Sequence, residues 1–281
     1  MKSRRDFLKA SAVFAGAAAL GVQAIPVGSK KIPVGIQLYS FRDQANSDGF
    51  DAIVKKAAEI GYSGVEFAGY GPYGGKPAEL KKLLDDLNLK AFGTHTGYGA
   101  LQPANLQRTM DFHQAIGCKY IIIPGMGNEQ IGTKDACLKT AEFLTGVSEK
   151  LQKEGLYTGY HAHGGDFKKI DGDLTSWEVL FDNTPKAFVH QIDIGNAFDN
   201  NDPERPFRMM ERYPGRSLSV HLKEHGGPQG AVFGEGKVDF KKAITLGETI
   251  GGTTCFIVEH ESNPAKAYEC AKKCIDYLKT L

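Results

Sequence analysis

Short runs of apolar and β-branched residues alternate along the chain with longer segments whose apolar residues recur every three or four positions. The short runs predict buried strands, and the longer segments predict amphipathic helices. Eight candidate strands, whose starts lie 26 to 37 residues apart, begin at Pro33, Ser63, Leu89, Lys119, Leu156, Ala187, Ser217 and Thr254. This spacing matches the length of one strand–helix unit.

The residues between the strands set the helix boundaries. In Phe50–Ile60 the apolar residues share one face, and Gly61 is a typical C-terminal cap. The other predicted helices, several of which open near a proline, are Pro77–Leu87, Pro103–Ile116, Asp135–Lys153, Leu174–Phe181, Glu204–Arg212, Asp239–Leu246 and Pro264–Leu281.

Eight strands alternating with eight helices predict a parallel sheet, and eight is the number of strands that closes a (β/α)8 TIM barrel. A doubly wound open sheet is the competing fold, but it usually carries a glycine-rich phosphate turn after its first strand, where this chain has Leu38–Arg42. Composition does not shift within residues 33–281, so the sequence predicts an α/β barrel forming a single domain there.

The first residues read as a targeting signal. Ser3–Lys9 contains two adjacent arginines, Ala10–Leu20 is apolar and small, and Val22–Ala24 offers a small-residue cleavage site. The apolar stretch is shorter than the ~20 residues that a membrane span needs. We therefore expect residues 1–24 to be a twin-arginine export signal and residues 25–32 a linker, with the protein periplasmic or extracellular and without a stable membrane anchor.

Charge excludes some classes of partner. The chain has 34 Lys and Arg against 33 Asp and Glu, and without residues 1–24 it has 30 against 32, a net charge of −2. Such a chain has no global attraction for nucleic acid, so we expect no nucleic-acid partner. Five cysteines in a chain of 281 residues do not suggest a disulfide scaffold, and the sequence is compatible with a homo-oligomer.

Polar residues gather where the predicted strands end, which is where barrel enzymes place their catalytic side chains. The last four strands end with His161 and His163, Asp193, His221 and Lys223, and Glu259 and Glu261, and earlier strands end with Gln37, Tyr39, Glu66 and His95. Any one of these residues alone is equally well explained as a hydrogen-bonding group of the barrel rim. Four consecutive strands that all end in this way are harder to explain as hydrogen-bonding groups of the rim. Buried ionisable groups are costly unless they pair or bind a metal, so the set favours a metal site. Imidazoles with carboxylates suit Mn²⁺, Co²⁺ or Zn²⁺ better than Mg²⁺.

The chain from Pro33 onward resembles the xylose isomerase-like TIM-barrel superfamily of sugar isomerases and epimerases, in particular its exported sugar phosphate isomerase/epimerase-like branch. The segments that carry the resemblance are Gly35–Asp43, Gly64–Glu66, Pro124–Gly125, Tyr160–His163, Asp193–Gly195, His221–Lys223 and Val258–Glu259. The resemblance implies one metal ion held by residues of strands five to eight, usually Glu, Asp, His and Glu. The last three correspond to Asp193, His221 and Glu259, and His161 stands where the first Glu usually stands, so we expect His161 to be the fourth ligand.

The resemblance also implies a reaction. A divalent ion that chelates a carbonyl and its neighbouring hydroxyl acidifies the C–H between them, which leads to an enediolate. We expect Glu259 or His163, with His161 as a further candidate, to move the proton, and Lys223 to stabilise the oxyanion unless it is paired with Glu224 or Glu261. The residues expected to bind the substrate are Glu66, His95, Gln37 and Tyr39.

Several functions remain open at this point. Reprotonation of the enediolate gives a metal-dependent sugar isomerase or epimerase, whereas loss of a β-leaving group gives a lyase of 3-keto-glycosides. A non-catalytic sugar-binding barrel would need no metal quartet. A metal-dependent endonuclease of the same superfamily would need a basic face, which the net charge disfavours. An exported location favours free sugars and glycosides over phosphosugars, so we expect a small-molecule carbohydrate substrate.

Overall fold

Eight parallel strands lie at the centre of the protein, for which a computed structural model describes residues 26–281. In chain order the strands are β1 (Ile32–Gln37), β2 (Gly64–Phe67), β3 (Lys90–His95), β4 (Tyr120–Ile123), β5 (Tyr157–His161), β6 (Val189–Gln191), β7 (Ser219–Leu222) and β8 (Cys255–Val258). Each lies in one of the eight predicted runs, which confirms the strand prediction.

The sheet is closed into a barrel. Neighbouring strands pair in parallel from β1 through β6, and β7 pairs with β8, which pairs with β1. Between β6 and β7 the ladder reduces to a parallel bridge between Asp193 and His221, beside which the His221 backbone N–H donates to Ile192 O at 2.9 Å. The predicted (β/α)8 TIM barrel is therefore confirmed, and its closing seam carries two of the expected metal ligands.

Helices connect the strands on the outside. The α-helices of the described residues are Arg42–Ser47, Phe50–Ile60, Pro77–Asp86, Pro103–Ile116, Asn128–Ile131, Lys134–Lys153, Ser176–Asp182, Ile194–Ala197, Arg205–Arg212, Phe240–Leu246 and Ala267–Leu278. Short 3₁₀ turns lie at Leu38–Phe41, Gly71–Tyr73, Tyr98–Leu101, Gly164–Phe167 and Pro264–Lys266, and a π-helical turn at Gly247–Gly251 follows Phe240–Leu246.

The helix predicted to start at Leu174 starts later. Leu174–Thr175 instead pairs antiparallel with Lys169–Asp171, and the helix begins at Ser176. Thr175 Oγ1 accepts a hydrogen bond from the Glu178 backbone N–H, and the Glu178 carboxylate accepts one from the Thr175 backbone N–H. This capping box satisfies two end groups of the helix and fixes its start.

Apolar burial supports the barrel on both sides of the sheet. Every residue of β2, β4, β7 and β8 is buried, as expected for parallel strands covered by helices. The helix Phe50–Ile60 turns Ile53, Val54 and Ala57 towards the core and ends at Gly61, whose φ of 108° lies in the region that favours glycine.

The chain before β1 is partly paired. Pro26–Val27 runs antiparallel to Ile32–Pro33, so part of the expected linker forms a hairpin with the first barrel strand. The expected signal segment, residues 1–24, lies outside the described residues. Within residues 26–281, no helix is both long enough and apolar enough to cross a membrane.

One buried histidine makes the stability of the barrel depend on pH. His113, in the helix Pro103–Ile116, donates from Nδ1 to Thr109 O at 2.6 Å, and its Nε2 accepts a hydrogen bond from the Tyr70 hydroxyl at 2.8 Å. Burial lowers the pKa of His113 to about 4, although the hydrogen bond to Thr109 acts in the opposite direction.

We expect His113→Gln to weaken the loss of stability in mild acid. The unfolded chain protonates this histidine near pH ~6.5, whereas the folded protein protonates it only near pH 4. The free energy of unfolding therefore decreases as the pH falls from ~6.5 towards 4. Between pH 7 and 4.5 the wild-type free energy of unfolding, measured with urea, should fall by about 2 kcal/mol more than that of the variant. Equal losses in the two proteins would show that His113 does not titrate in this way.

Candidate active site

A cavity of about 620 Å³ opens at the carboxyl ends of the barrel strands. This volume is within the range of small-molecule sites. The residues that line it are Tyr39, Ala68, His95, Pro124, Gly125, His161, His163, Asn196, Lys223, Glu259 and Glu261. Six of the predicted site residues are therefore brought to one cavity: Tyr39, His95, His161, His163, Lys223 and Glu259.

Four predicted metal ligands converge at the base of this cavity. One donor atom from each of His161, Asp193, His221 and Glu259 lies within 4.8 Å of the donor atoms of the other three, and all four side chains are buried. Asp193 Oδ2 lies 3.9 Å from His161 Nε2 and 3.9 Å from His221 Nδ1. The arrangement brings two imidazole nitrogens and two carboxylates around a common point.

Their convergence follows from where each strand ends. His161 is the last residue of β5, His221 is the third residue of β7, and Glu259 follows β8 directly. Asp193 lies two residues beyond β6, where its Oδ1 caps the short helix Ile194–Ala197 by accepting a hydrogen bond from the Asn196 backbone N–H at 2.8 Å.

Asp193 has an unsatisfied oxygen that fits a cation. Its Oδ2 is buried and has no hydrogen-bond partner among the described residues. Burial raises the pKa of Asp193 to about 6, with Glu259 adding to the rise and Lys223 opposing it. A buried carboxylate oxygen facing two imidazoles and a second carboxylate is a donor set that divalent transition metals accept. The residues present therefore fit the expected ion.

The cluster attracts positive charge. His221 lies between two carboxylates, with its Nε2 2.5 Å from Glu66 Oε2 and its Nδ1 2.8 Å from Glu259 Oε2. Burial acts to lower the pKa of His221, but these carboxylates outweigh it and raise the pKa to about 10. Burial likewise acts to raise the pKa of Glu259, but His221 and Lys223 hold that pKa well below its usual value.

The two histidines at the end of β5, His161 in the strand and His163 two residues beyond it, differ in their surroundings. His161 is fully enclosed, and burial, reinforced by His221 and His95, lowers its pKa well below the usual value, so its imidazole is neutral. His163 is exposed to the cavity, with its ring centroid 4.9 Å from that of His161, and burial lowers its pKa too. The loop that carries His163 is held by Asp166, whose carboxylate accepts from the His163 backbone N–H at 2.7 Å.

Lys223 is paired on the cavity wall. Its Nζ donates to Glu259 Oε1 at 3.2 Å and to Glu261. Burial opposes its charge, but Asp193, Glu259 and Glu261 hold the pKa of Lys223 above its usual value. Glu224, the other partner that the sequence left open, accepts backbone N–H groups of its own loop instead, including Gly234 and Val238.

The four residues expected to bind substrate separate into two pairs. Tyr39 and His95 line the cavity, and Tyr39 is 45% exposed. Glu66 and Gln37 are fully buried and are not part of the cavity lining. The Glu66 carboxylate accepts hydrogen bonds from Gln37 Nε2 at 2.9 Å and Gln191 Nε2 at 2.8 Å, in addition to its contact with His221.

Sequence reasoning missed two polar side chains of this site. Asn196 lines the cavity and donates from Nδ2 to Ala162 O at 3.1 Å. Gln191 is buried beside the ligands and contacts His95 and His161. Both residues could have been found from the sequence. Asn196 lies three residues after Asp193, the spacing at which a helix-capping side chain accepts a backbone hydrogen bond. Gln191 lies two residues before Asp193, and residues two apart on a strand face the same side.

Comparisons with known proteins agree with the fold. The sequence matches the family described as xylose isomerase-like TIM barrel over residues 54–280, and residues 3–21 match the twin-arginine translocation pathway signal sequence. It is similar to the inosose dehydratase of Lacticaseibacillus casei, with 26% identity over 270 residues that cover 82% of this chain and 88% of that protein.

Solved structures with the same fold include two carbohydrate enzymes. A sugar phosphate isomerase/epimerase from Parabacteroides distasonis aligns with a TM-score of 0.71 and 23% identity, covering 87% of this chain and 96% of the other. D-allulose 3-epimerase from Methylomonas sp., solved with D-allulose, aligns with a TM-score of 0.65 and 15% identity, covering 92% of this chain and 99% of that protein.

We expect a divalent transition metal to stabilise the folded protein through Asp193. Because an ion that binds only the native state adds about 2.7 kcal/mol at one hundred times its Kd, saturating Mn²⁺ should raise Tm by about 5 °C or more. Asp193→Asn should remove most of this shift. Asp166→Asn, which alters another buried aspartate whose burial raises its pKa to about 6, should keep it. The same shift in both variants would contradict the assignment of Asp193.

Proposed function

The chain belongs to the xylose isomerase-like TIM-barrel family, and from this premise we propose that it is a metal-dependent sugar isomerase or epimerase that works through an enediolate. The observation that carries the proposal is the buried, unpaired Oδ2 of Asp193 among the donor atoms of His161, His221 and Glu259, next to a cavity of sugar-binding size. The same family membership makes an enzyme, rather than a sugar-binding barrel, the better-supported reading.

His161, Asp193, His221 and Glu259 would hold the ion. When bound, a divalent ion polarises a substrate carbonyl and its neighbouring hydroxyl, so that the C–H between them becomes acidic. His161 would contribute a neutral imidazole, His221 would do so once the ion replaces its Nδ1 proton, and the two carboxylates would contribute negative charge. This set matches the preference of Mn²⁺, Co²⁺ and Zn²⁺ for mixed nitrogen and oxygen donors.

The residues of the cavity wall supply the proton transfer. Glu259 is ionised, because its pKa is held well below its usual value, and it lines the cavity, so it is the carboxylate placed to take the substrate proton. His163 is neutral, lines the same cavity and has no hydrogen bond to its ring among the described residues, so it is placed to accept a proton from a substrate hydroxyl. The protonated Glu259 is then the group placed to return a proton to carbon. Lys223 stays protonated, and its pairing with Glu261 favours the alternative role, in which it holds the carboxylates of Glu259 and Glu261 on the cavity wall.

The charges around the cavity favour an uncharged substrate. Of the described residues that line it, Lys223 is the sole Lys or Arg, and it is already paired with Glu259 and Glu261. A phosphate group would lie near these carboxylates without an unpaired cation to bind it. Free sugars, cyclic polyol ketones and glycosides fit this lining, and the match to an export signal supports substrates that are met outside the cytoplasm.

Elimination is the second candidate reaction, and the relatives favour it. Proteins named inosose dehydratase are 26% and 24% identical to this chain over 82% of its length, whereas the two solved structures cover 87% and 92% of it at 23% and 15% identity. The same proton abstraction by Glu259 would form the carbanion, the C–O bond to the β-substituent would then break, and the protonated Glu259 would give its proton to the leaving oxygen.

We expect Glu259→Gln to separate chemistry from metal binding. The amide keeps the shape and one coordinating oxygen but loses basicity, so kcat should fall ~10²–10⁴-fold while metal content falls much less. Glu261→Gln, which changes the neighbouring carboxylate that also contacts Lys223, should lose less than ~10-fold. Asp193→Asn and His221→Ala should lose metal and activity together. Full activity in metal-loaded Glu259→Gln would move the base to His163 or His161.

Isotope incorporation should reveal the reaction before the natural substrate is known. We expect the Mn²⁺-loaded protein, screened in D₂O against free ketoses, cyclic polyol ketones and 3-keto-glycosides, to introduce deuterium next to the carbonyl of its substrate, because an enediolate exchanges that proton with solvent. A deuterated isomer supports the isomerase or epimerase, and release of water, an aglycone or a second sugar supports the lyase. Sugar binding without exchange or turnover would contradict both and favour a binding protein.

A further inference from the structure

Glu66 occupies a position that the proposed reaction does not use. Its carboxylate is fully buried at β2, and its two oxygens accept from three groups of the barrel interior. The distances are 2.9 Å to Gln37 Nε2, 2.8 Å to Gln191 Nε2 and 2.5 Å to His221 Nε2, and His95 Nε2 lies 3.1 Å from Glu66 Oε2. An ionised carboxylate has no donor, so each hydrogen-bonded partner must donate to it.

The fold makes room for this carboxylate. The pairing of β2 with β3 shifts register at Val65 and Glu66, so that Glu66 faces Gly93. A Cβ atom added to Gly93 would lie 2.5 Å from Glu66 Oε1, so a side chain there would push the carboxylate away. Glu66 is thus enclosed by backbone and by groups that all donate to it.

One consequence concerns His221 directly. Because a carboxylate can only accept, His221 donates from Nε2 to Glu66 and from Nδ1 to Glu259 Oε2 at 2.8 Å, with Asp193 Oδ2 3.9 Å from Nδ1. An ion could replace only the Nδ1 proton, because Glu66 holds the Nε2 proton inside the barrel. Glu66 therefore determines which nitrogen of His221 points towards the ion and keeps the ring in place.

The other consequence reaches His161 through Gln191. Since Gln191 Nε2 donates to Glu66 Oε1 and to Ser219 Oγ, its carbonyl oxygen must point the other way. Gln191 Oε1 lies 3.0 Å from His161 Nδ1 and 2.9 Å from His95 Nε2 and accepts from both. His161 therefore carries its proton on Nδ1 and turns the lone pair of Nε2 towards Asp193.

We propose that Glu66 is the positioning residue of the metal site, fixing which nitrogen each imidazole ligand turns towards the ion, that of His221 directly and that of His161 through the amide of Gln191. This inference rests on the proposed function for the identity of the ligands. It also gives Glu66 a role behind the cavity wall in place of direct contact with substrate.

Two variants and one control test the proposal by metal affinity. In Glu66→Gln an NH₂ group must face either Gln191 Nε2 or His221 Nε2, so one imidazole loses its orientation, and we expect the Kd for Mn²⁺ to rise ~10–100-fold. Gln191→Leu, which of the two imidazole ligands removes a direct hydrogen bond from His161 alone, should also weaken binding. Ser219→Ala removes a hydrogen bond from the same Gln191 amide without reversing it, so its Kd should stay within ~3-fold of wild type.

The protonation state of the histidine nitrogens can be measured by NMR without turnover, and in the wild-type protein without any substitution. In ¹⁵N-labelled, metal-free wild type, long-range ¹H–¹⁵N spectra should show His161 protonated on Nδ1 and unprotonated on Nε2, and His221 protonated on Nε2. In folded Glu66→Gln the proton of His161 should move to Nε2 or exchange between the two nitrogens. If Glu66→Gln does not fold, the wild-type spectrum and the Kd of Gln191→Leu decide the question.

The outcomes separate this inference from the proposed function. A wild-type His161 protonated on Nε2, or a folded Glu66→Gln with wild-type Kd, would overturn the role of Glu66 while leaving the metal site intact. Wild-type protein that binds no divalent transition metal would instead overturn the proposed function, and the tautomers would still show whether Glu66 orients the imidazoles.

Discussion

Five ionisable side chains buried against one another at the mouth of the barrel form the constraint on which the site depends. They are Glu66, His161, Asp193, His221 and Glu259, none more than 5% exposed. Removing an ion from water costs several kcal/mol, so each charge has to find a partner inside the group. Glu66 is surrounded by donors and Glu259 is bound by His221 and Lys223, whereas one oxygen of Asp193 is left for a cation. The fold thus builds a site that is nearly satisfied and short of one positive ion.

The same residues also close the barrel. The seam between β6 and β7 is the place where regular pairing is shortest, and its bridge joins Asp193 to His221. An ion held by both side chains would link the two edges of the sheet across this seam. Whatever moves β7 away from β6 also separates Asp193 from His221, so the binding of an ion by both would be coupled to barrel closure.

Much of this arrangement was predictable, because it follows from short-range rules. The period of apolar residues located all eight strands, and the rule that active sites lie at the carboxyl ends of barrel strands drew attention to their polar ends. The family resemblance then implied which four of these residues would hold a metal. The inward-facing Gln191 and the enclosed position of Glu66 were not predicted. Glu66 contacts His221 across 155 residues and Gln191 across 125, and its direction depends on a register shift opposite Gly93. Such contacts depend on strand register and closure, which the sequence pattern of a single strand does not contain.

The central claim is that one cation binds between the two imidazoles and the two carboxylates. Anomalous diffraction from crystals of the Mn²⁺-loaded protein tests it most directly. The account predicts one strong anomalous peak per chain, bonded to His161 Nε2, Asp193 Oδ2, His221 Nδ1 and Glu259, with Glu66 still hydrogen-bonded to His221 Nε2. A peak bonded to His95, His161 and His221, whose donor atoms also lie within 4.8 Å of one another, with Asp193 Oδ2 left unbound, would contradict it.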